Sequence, residues 1–212
     1  MHIIRGCHDH KEFLKSTGLA DECSNKLGDY PESDDSVFNA ICDMFNYLPI
    51  AAIIKDSIFC AHSGIPENVT VESLNSIKKP YSPESNKLIA DVLWSQPNIL
   101  KENYTANNCT TIFRKLSFNQ DNVNKFLSDN KLNLIIRSKD VVQHGFEKIF
   151  NSKVINIFSA TNYLGQSNNN GAMIYVKKNL EIQPKVLTTD DNNLTWNNKG
   201  LSMFPESPRK KN

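Results

Sequence analysis

Asn46-Tyr-Leu-Pro-Ile-Ala-Ala-Ile-Ile-Lys-Asp-Ser-Ile-Phe-Cys-Ala-His-Ser-Gly-Ile-Pro66 is the stretch whose reading decides the fold. Ile50 to Ile54 is an apolar, mostly β-branched run, and Ser57 to Ala61 is a second. Lys55-Asp56 breaks them with two polar residues, the pattern of a β-hairpin whose strands are largely buried. His62-Ser63-Gly64 turns the chain directly after the second strand. In α/β proteins the groups that do chemistry sit on loops just past strand ends, so His62 is a candidate site residue.

Outward from the hairpin, the same reasoning places the neighbouring elements. His2 to Gly6 reads as the end of a buried strand, followed by the polar turn Gly6-Cys7-His8-Asp9-His10. Asp34 to Phe45 reads as an amphipathic helix capped by Ser33, with Val37, Ala40, Ile41, Met44 and Phe45 as its apolar stripe. Val71 to Ile77, capped by Thr70, and Lys87 to Trp94 are short helices. Asn119 caps a helix from Gln120 to about Asp129 that buries Val123, Phe126 and Leu127. Strands follow over Leu132–Arg137, His144–Phe150, Val154–Phe158, Ala172–Val176 and Leu180–Leu187. Residues 96–111 carry little periodic signal. The expected organisation is one α/β domain over residues 1–187 and a disordered polar and basic tail over 188–212.

The composition excludes several classes. The 212 residues suffice for one sizeable domain. A net charge of +1 gives no reason to expect a nucleic acid or membrane partner. No apolar run reaches the length of a membrane span, and no signal peptide opens the chain. The 5 cysteines form no C-x-x-C pair and suit a reducing compartment, cytoplasmic or nuclear.

The reactive side chains collect at strand ends: Cys7, His8, Asp9 and His10 after the first, His62 after the hairpin, Arg137 and Lys139 after the next, and Tyr163 further on. Histidines with a cysteine could bind a transition metal, and Arg137 with Tyr163 could hold an oxyanion. On spacing alone, ordinary polar loop residues are the better explanation.

The wording of the chain decides more. Ile4-Arg5-Gly6-Cys7-His8-Asp9 resembles the L-R-G-N-H-E motif of the metal-dependent Ser/Thr protein phosphatases, and Ala61-His62-Ser63-Gly64-Ile65 resembles their H-G-G turn. Leu93-Trp94-Ser95-Gln96-Pro97 is similar to L-W-S-D-P, and Ile136-Arg137-Ser138-Lys139-Asp140-Val141-Val142 lies where the family has R-A-H-Q-V-V. Phe158-Ser159-Ala160-Thr161-Asn162-Tyr163-Leu164-Gly165 resembles F-S-A-P-N-Y-C-G, and Asn170-Gly171-Ala172-Met173 resembles N-A-G-A-M. Order and spacing agree from Ile3 to about Leu187, with wording closest to the type-1 branch.

The resemblance implies a calcineurin-like phosphoesterase β-sandwich flanked by helices. It also implies hydrolysis of phosphoserine or phosphothreonine by water activated between two divalent metal ions of the manganese, iron or zinc type. By the same resemblance His8 is the general acid, Arg5, Arg137 and Tyr163 contact phosphate, and His62 and Cys7 are metal ligands. The expected partners are phosphoproteins or proteins of the regulatory-subunit kind.

Departures from the pattern set the expectation for activity. A softer thiolate, Cys7, replaces an asparagine ligand and favours zinc over manganese or magnesium. Lys139 replaces a histidine ligand, and its ammonium would repel a dication by about 8 kcal/mol at ~4 Å and an effective dielectric of about 20. Asn108 stands loosely where the family has a phosphate arginine. The family's two G-D motifs lie upstream of L-R-G-N-H-E and are not in this sequence, so the expected sandwich is incomplete. Three readings follow: an impaired or non-catalytic pseudophosphatase that binds proteins, a fragment of a longer active phosphatase, or a small zinc module built on Cys7, His8, His10 and His62.

Overall fold

The computed structural model describes residues 1–99, 117–190 and 193–197. The chain divides into two compact units, Met1–Leu134 and Ile135–Asn212.

In the first unit the hairpin forms as the sequence dictates. β1 (Ala51–Ile54) pairs antiparallel with β2 (Ile58–Ala61) in the register Ala51↔Ala61 to Ile54↔Ile58. Lys55 and Asp56 both take positive φ, 48° and 49°, and Ser57 N donates to Ile54 O, so a left-handed turn closes the three-residue connection between Ile54 and Ile58. Before the hairpin come α1 (Lys11–Ser16), α2 (Leu19–Leu27) and α3 (Val37–Phe45). After it come α4 (Val71–Asn75), α5 (Lys87–Trp94), the short parallel pair β3 (Gln96–Pro97) and β4 (Ser117–Phe118), and α6 (Gln120–Asp129). Thr70 and Asn119 close reciprocal capping boxes at the starts of α4 and α6. One core cluster joins Cys7, Ile50, Tyr81, Ile89, Leu93 and Trp94; another joins Ala20, Cys23, Phe38 and Cys42.

Three expectations change here. His2–Gly6 is not a strand: its backbone is tied by Arg5 N donating to Pro49 O at 2.8 Å, and Ile3 is exposed. α3 begins at Val37 under a Ser36 cap, not at Asp34 under Ser33. Asp29 accepts from Val37 N, Phe38 N and Ser36 Oγ, which fixes that start from outside the helix. Burial pushes the Asp29 carboxyl up, but these hydrogen bonds, with one from Tyr30, outweigh it and hold the group below its ordinary range. The buried face is accordingly Phe38 and Cys42 with Ile41 beside them, whereas Val37 and Met44 face water.

The second unit opens within β5 (Leu134–Arg137). β5 pairs parallel with β7 (Val154–Ile157), which pairs antiparallel with β6 (Phe146–Ile149). A second sheet runs β10 (Asn193–Asn197), β9 (Ile182–Asp190), β8 (Gly171–Val176), all antiparallel. A β-carbon on Gly145 would stand 2.5 Å from the Gly171 carbonyl, so only glycine allows that approach. Within the polar tail expected from Thr188, residues 188–190 and 193–197 lie in paired strands. Thr188, Thr189, Thr195 and Trp196 are good strand formers, and their backbones pair between β9 and β10. The rest of that expectation, residues 198–212, lies outside the described residues, as does Asn108.

Candidate functional site

The site residues of the first unit sit on the turn after the extended N-terminal segment and on the turn after β2. Arg5 organises the first turn. Its Nε and Nη2 donate to Asp9 O at 3.0 and 2.6 Å, its Nη1 to Tyr81 O at 2.9 Å, and Nη2 also to Asn46 Oδ1 at 3.2 Å. The guanidinium is 0% exposed and stands 5.8 Å from the centroid of the Tyr81 ring. Burial lowers its pKa, with Tyr81 and Asp9 opposing, yet a guanidinium keeps its charge in a protein. These hydrogen bonds brace the turn by tying Asp9, Asn46 and Tyr81 to one guanidinium.

That scaffold presents three consecutive side chains differently. Cys7 is 2% exposed and turned inward, and its Sγ lies 3.2 Å from His62 Nε2. His8 is exposed and stacks on Phe13, ring centroids 3.9 Å apart and 17° from parallel, with Trp94 tilted beside it at 6.0 Å. The Asp9 carboxylate turns back to accept from Gly6 N at 2.7 Å. A β-carbon on Gly6 would stand 3.2 Å from Asp9 Oδ2 and 3.6 Å from His62 Nδ1, so carboxylate and ring flank the same α-carbon.

The second turn is held by contacts that sequence reasoning missed. Ser63 Oγ donates to Ser95 O, which ties the histidine turn to the end of α5. At Gly64 a β-carbon would meet the Phe118 ring at 2.2 Å, so the glycine after the histidine is a packing requirement. His10 leaves the cluster altogether: it is buried, its Nδ1 lies 3.0 Å from Glu84 Oε1, and burial lowers its pKa against the raising effect of Glu84. With His8 on Phe13 and His10 on Glu84, the zinc module of one cysteine and three histidines is not assembled. Among the described residues no three or more His, Cys, Asp or Glu side chains gather as a metal site.

In the second unit Arg137 is buried against Asp140, Nη1 to Oδ2 2.6 Å. Lys139 takes φ +87°. Tyr163 is partly exposed and meets Phe158 edge-on at 5.2 Å. Its loop is pinned by Asn169, which donates to Ala160 O and Asn170 O at 2.8 and 2.9 Å and accepts from Tyr163 N at 2.9 Å. A groove of about 360 Å³ beside β1 is walled by Ile50, Ile53, Leu74, Ile77 and Tyr81 among others, and none of Arg5, Cys7, His8 or His62 lines it.

The Cys7–His62 contact and the exposed His8 stand on turns that follow an extended segment and β2. A family model of the calcineurin-like phosphoesterases matches residues 1–138. The chain belongs to the calcineurin-like phosphoesterase family. Serine/threonine-protein phosphatase BSL2 of Arabidopsis thaliana is 34% identical over 193 residues, covering 88% of this chain and 18% of its own. A protein serine/threonine phosphatase structure from Saccharomyces cerevisiae, described as similar to human phosphatase PP5, superposes with a TM-score of 0.73 at 25% identity. It covers 91% of this chain, which spans 61% of that one. This calcineurin-like phosphoesterase is thus a homologue of Ser/Thr protein phosphatases and shares their mixed sheets and flanking helices, while spanning about a fifth of the curated relative's length. No helix among the described residues is long and apolar enough to cross a membrane.

The family is metal-dependent, so the donors must be tested against two divalent ions. In the first unit the described donors that face one another are one thiol and one imidazole, already in contact, while Asp9 is turned to Gly6 N. Two cations carry about four positive charges and need bridging carboxylates, which this pair does not provide. The described donors of this unit do not fit a two-ion centre.

Proposed function

We propose that this chain is a Ser/Thr protein phosphatase family member whose own hydrolysis of phosphoserine and phosphothreonine is impaired. The reading is carried by the Cys7–His62 contact, 3.2 Å from Sγ to Nε2, at the positions where the resemblance implies metal ligands. His8 is read as the general acid that the resemblance implies. Its ring is open to solvent and fixed by Phe13, suited to protonating a leaving seryl oxygen. In this reading the phosphate contacts that the resemblance implies are Arg5 in the first unit and Arg137 and Tyr163 in the second. The test is release of phosphate from a phosphoserine peptide by the purified chain with manganese, iron or zinc. Turnover no greater than that of His8→Asn is expected. Manganese-dependent turnover that collapses in His8→Asn would overturn the proposal.

A protein-binding role is favoured by the second unit. Leu164 is 77% exposed and Tyr163 partly so, and β8 turns Met173 and Tyr175 to solvent. Apolar and aromatic surface of this kind suits a phosphoprotein or regulatory-subunit-type partner, with no nucleic acid or membrane partner and a cytoplasmic or nuclear setting.

A further inference from the structure

We propose that the outer face of α3 is a docking surface for a basic amphipathic helix of a partner protein. The inference goes beyond impaired hydrolysis and concerns a different surface from that of the second unit, so it holds whether or not the chain releases phosphate.

Packing is the first support. α3 is apolar on two sides. Phe38 and Cys42, with Ile41 beside them, are buried with Ala20 and Cys23 of α2. Val37, Ala40 and Met44 lie on the other side, exposed, and Tyr47 follows them into solvent. Tyr47 N donates to Met44 O at 3.0 Å, so the helical winding carries past Phe45 to include it. The four recur at steps of 3, 4 and 3, the a and d spacing of a helix-pairing seam. They span about 15 Å along the axis, enough for about three turns of a second helix. Ala40 in the middle lets the two axes approach closely, and Met44 and Tyr47 are residue types that interfaces favour.

Charge selects the occupant. From Leu27 to Ile54 the chain has 5 acidic residues and no lysine or arginine. Asp29 is bound to the start of α3, and Glu32 faces Lys15 at 3.4 Å. Asp34, Asp35 and Asp43 are exposed and enter no ion pair among the described residues. Asp34 and Asp35 stand just before the seam, and Asp43 flanks it beside Met44. Lysines or arginines bordering the apolar stripe of a partner helix would pair with these acids. A second copy of the chain would set acid against acid, and an anionic membrane or nucleic acid would be repelled.

The test uses the full chain and, as probe, a labelled peptide of about 18 residues with leucine at the a and d positions and lysine at the flanking ones. Saturable binding, read by fluorescence anisotropy, is expected. It should weaken at least tenfold in Val37→Ser with Met44→Ser and at least threefold in Asp34→Asn with Asp35→Asn, and be unchanged in Met173→Ser with Tyr175→Ser. A shuffled peptide of the same composition, without the a and d seam, should bind at least tenfold more weakly. On the unaltered chain the probe should slow peroxide oxidation of Met44, 51% exposed, at least fivefold and leave that of Met173, 47% exposed, unchanged. Mass spectrometry reads both methionines, so the result decides the matter even if a variant misfolds. Equal binding of the shuffled peptide or of a glutamate-for-lysine counterpart, or an unprotected Met44, would overturn the inference. So would dimerisation in sedimentation that Val37→Ser with Met44→Ser abolishes, since the face would then belong to a second copy.

Discussion

The turn that carries Cys7 and His8 and the loop that carries Tyr163 are both irregular segments pinned from within by one buried polar side chain. In the first, the pin is the Arg5 cation, which reaches Asp9, Asn46 and Tyr81 across 76 residues of sequence. In the second it is the neutral amide of Asn169, whose partners all lie within nine residues. The local pin serves a backbone that already bends itself, with left-handed φ at Asn162, Leu164, Gly165 and Asn168. The long-range pin joins the N-terminal turn to the helix–hairpin connection and to the segment before α5, so it holds pieces that nothing local brings together. A charge gives stronger hydrogen bonds and a larger loss when it is removed.

The sharpest way to break this comparison is to delete each pin. Arg5→Ala leaves carbonyls at Asp9 and Tyr81 without their donor and opens a large void, at an expected cost of about 4 kcal/mol. Asn169→Ala should cost about 2 kcal/mol. Urea unfolding midpoints measure both, and equal losses would refute the distinction between long-range and local pins.

Glycines sharpen it next. A β-carbon on Gly171 would sit 2.3 Å from Ser159 O, a backbone atom, whereas on Gly64 it would meet the edge of the Phe118 ring. Backbone cannot step aside, whereas the buried Phe118 ring can shift by displacing its own neighbours. Gly171→Ala is therefore expected to lower stability by about 3 kcal/mol and Gly64→Ala by about 1 to 2 kcal/mol. Thermal melts of the two variants would show the order, and a reversed order would place the soft wall in the second unit.

Much of the fold was legible in the letters. The hairpin, α5, and α6 with its Asn119 cap follow from periodicity and capping chemistry alone, because their buried faces are long enough to repeat. α1 and α2 were not, since Lys11–Leu27 is rich in charge and buries only Ala20 and Cys23. The role of Arg5 was hidden for a different reason: three of its four bonds go to main-chain carbonyls, which leave no letter in a sequence. The Cys7–His62 contact could be suspected from the two turns, but the side-chain directions that close it arise from packing.

The smallest effect concerns His10. Its folded pKa lies below the ordinary value because it is buried, with Glu84 acting in the opposite direction and Arg5 in the same one. The unfolded chain therefore binds the proton first as pH falls. Stability is flat above about pH 6.5 and declines below it until the folded state also protonates. His10→Gln should remove that slope from a plot of unfolding midpoint against pH, and an unchanged slope would assign the acid sensitivity elsewhere.

The left-handed turn at Lys55-Asp56 carries a consequence for the speed of folding. Two non-glycine residues are held at positive φ, at a cost of about 1 kcal/mol each. The turn closes the most local strand pairing of the first unit, so that cost falls on an early step. Asp56→Gly relieves part of it, and refolding after a denaturant jump is expected to accelerate about fivefold while the unfolding limb of the chevron stays in place.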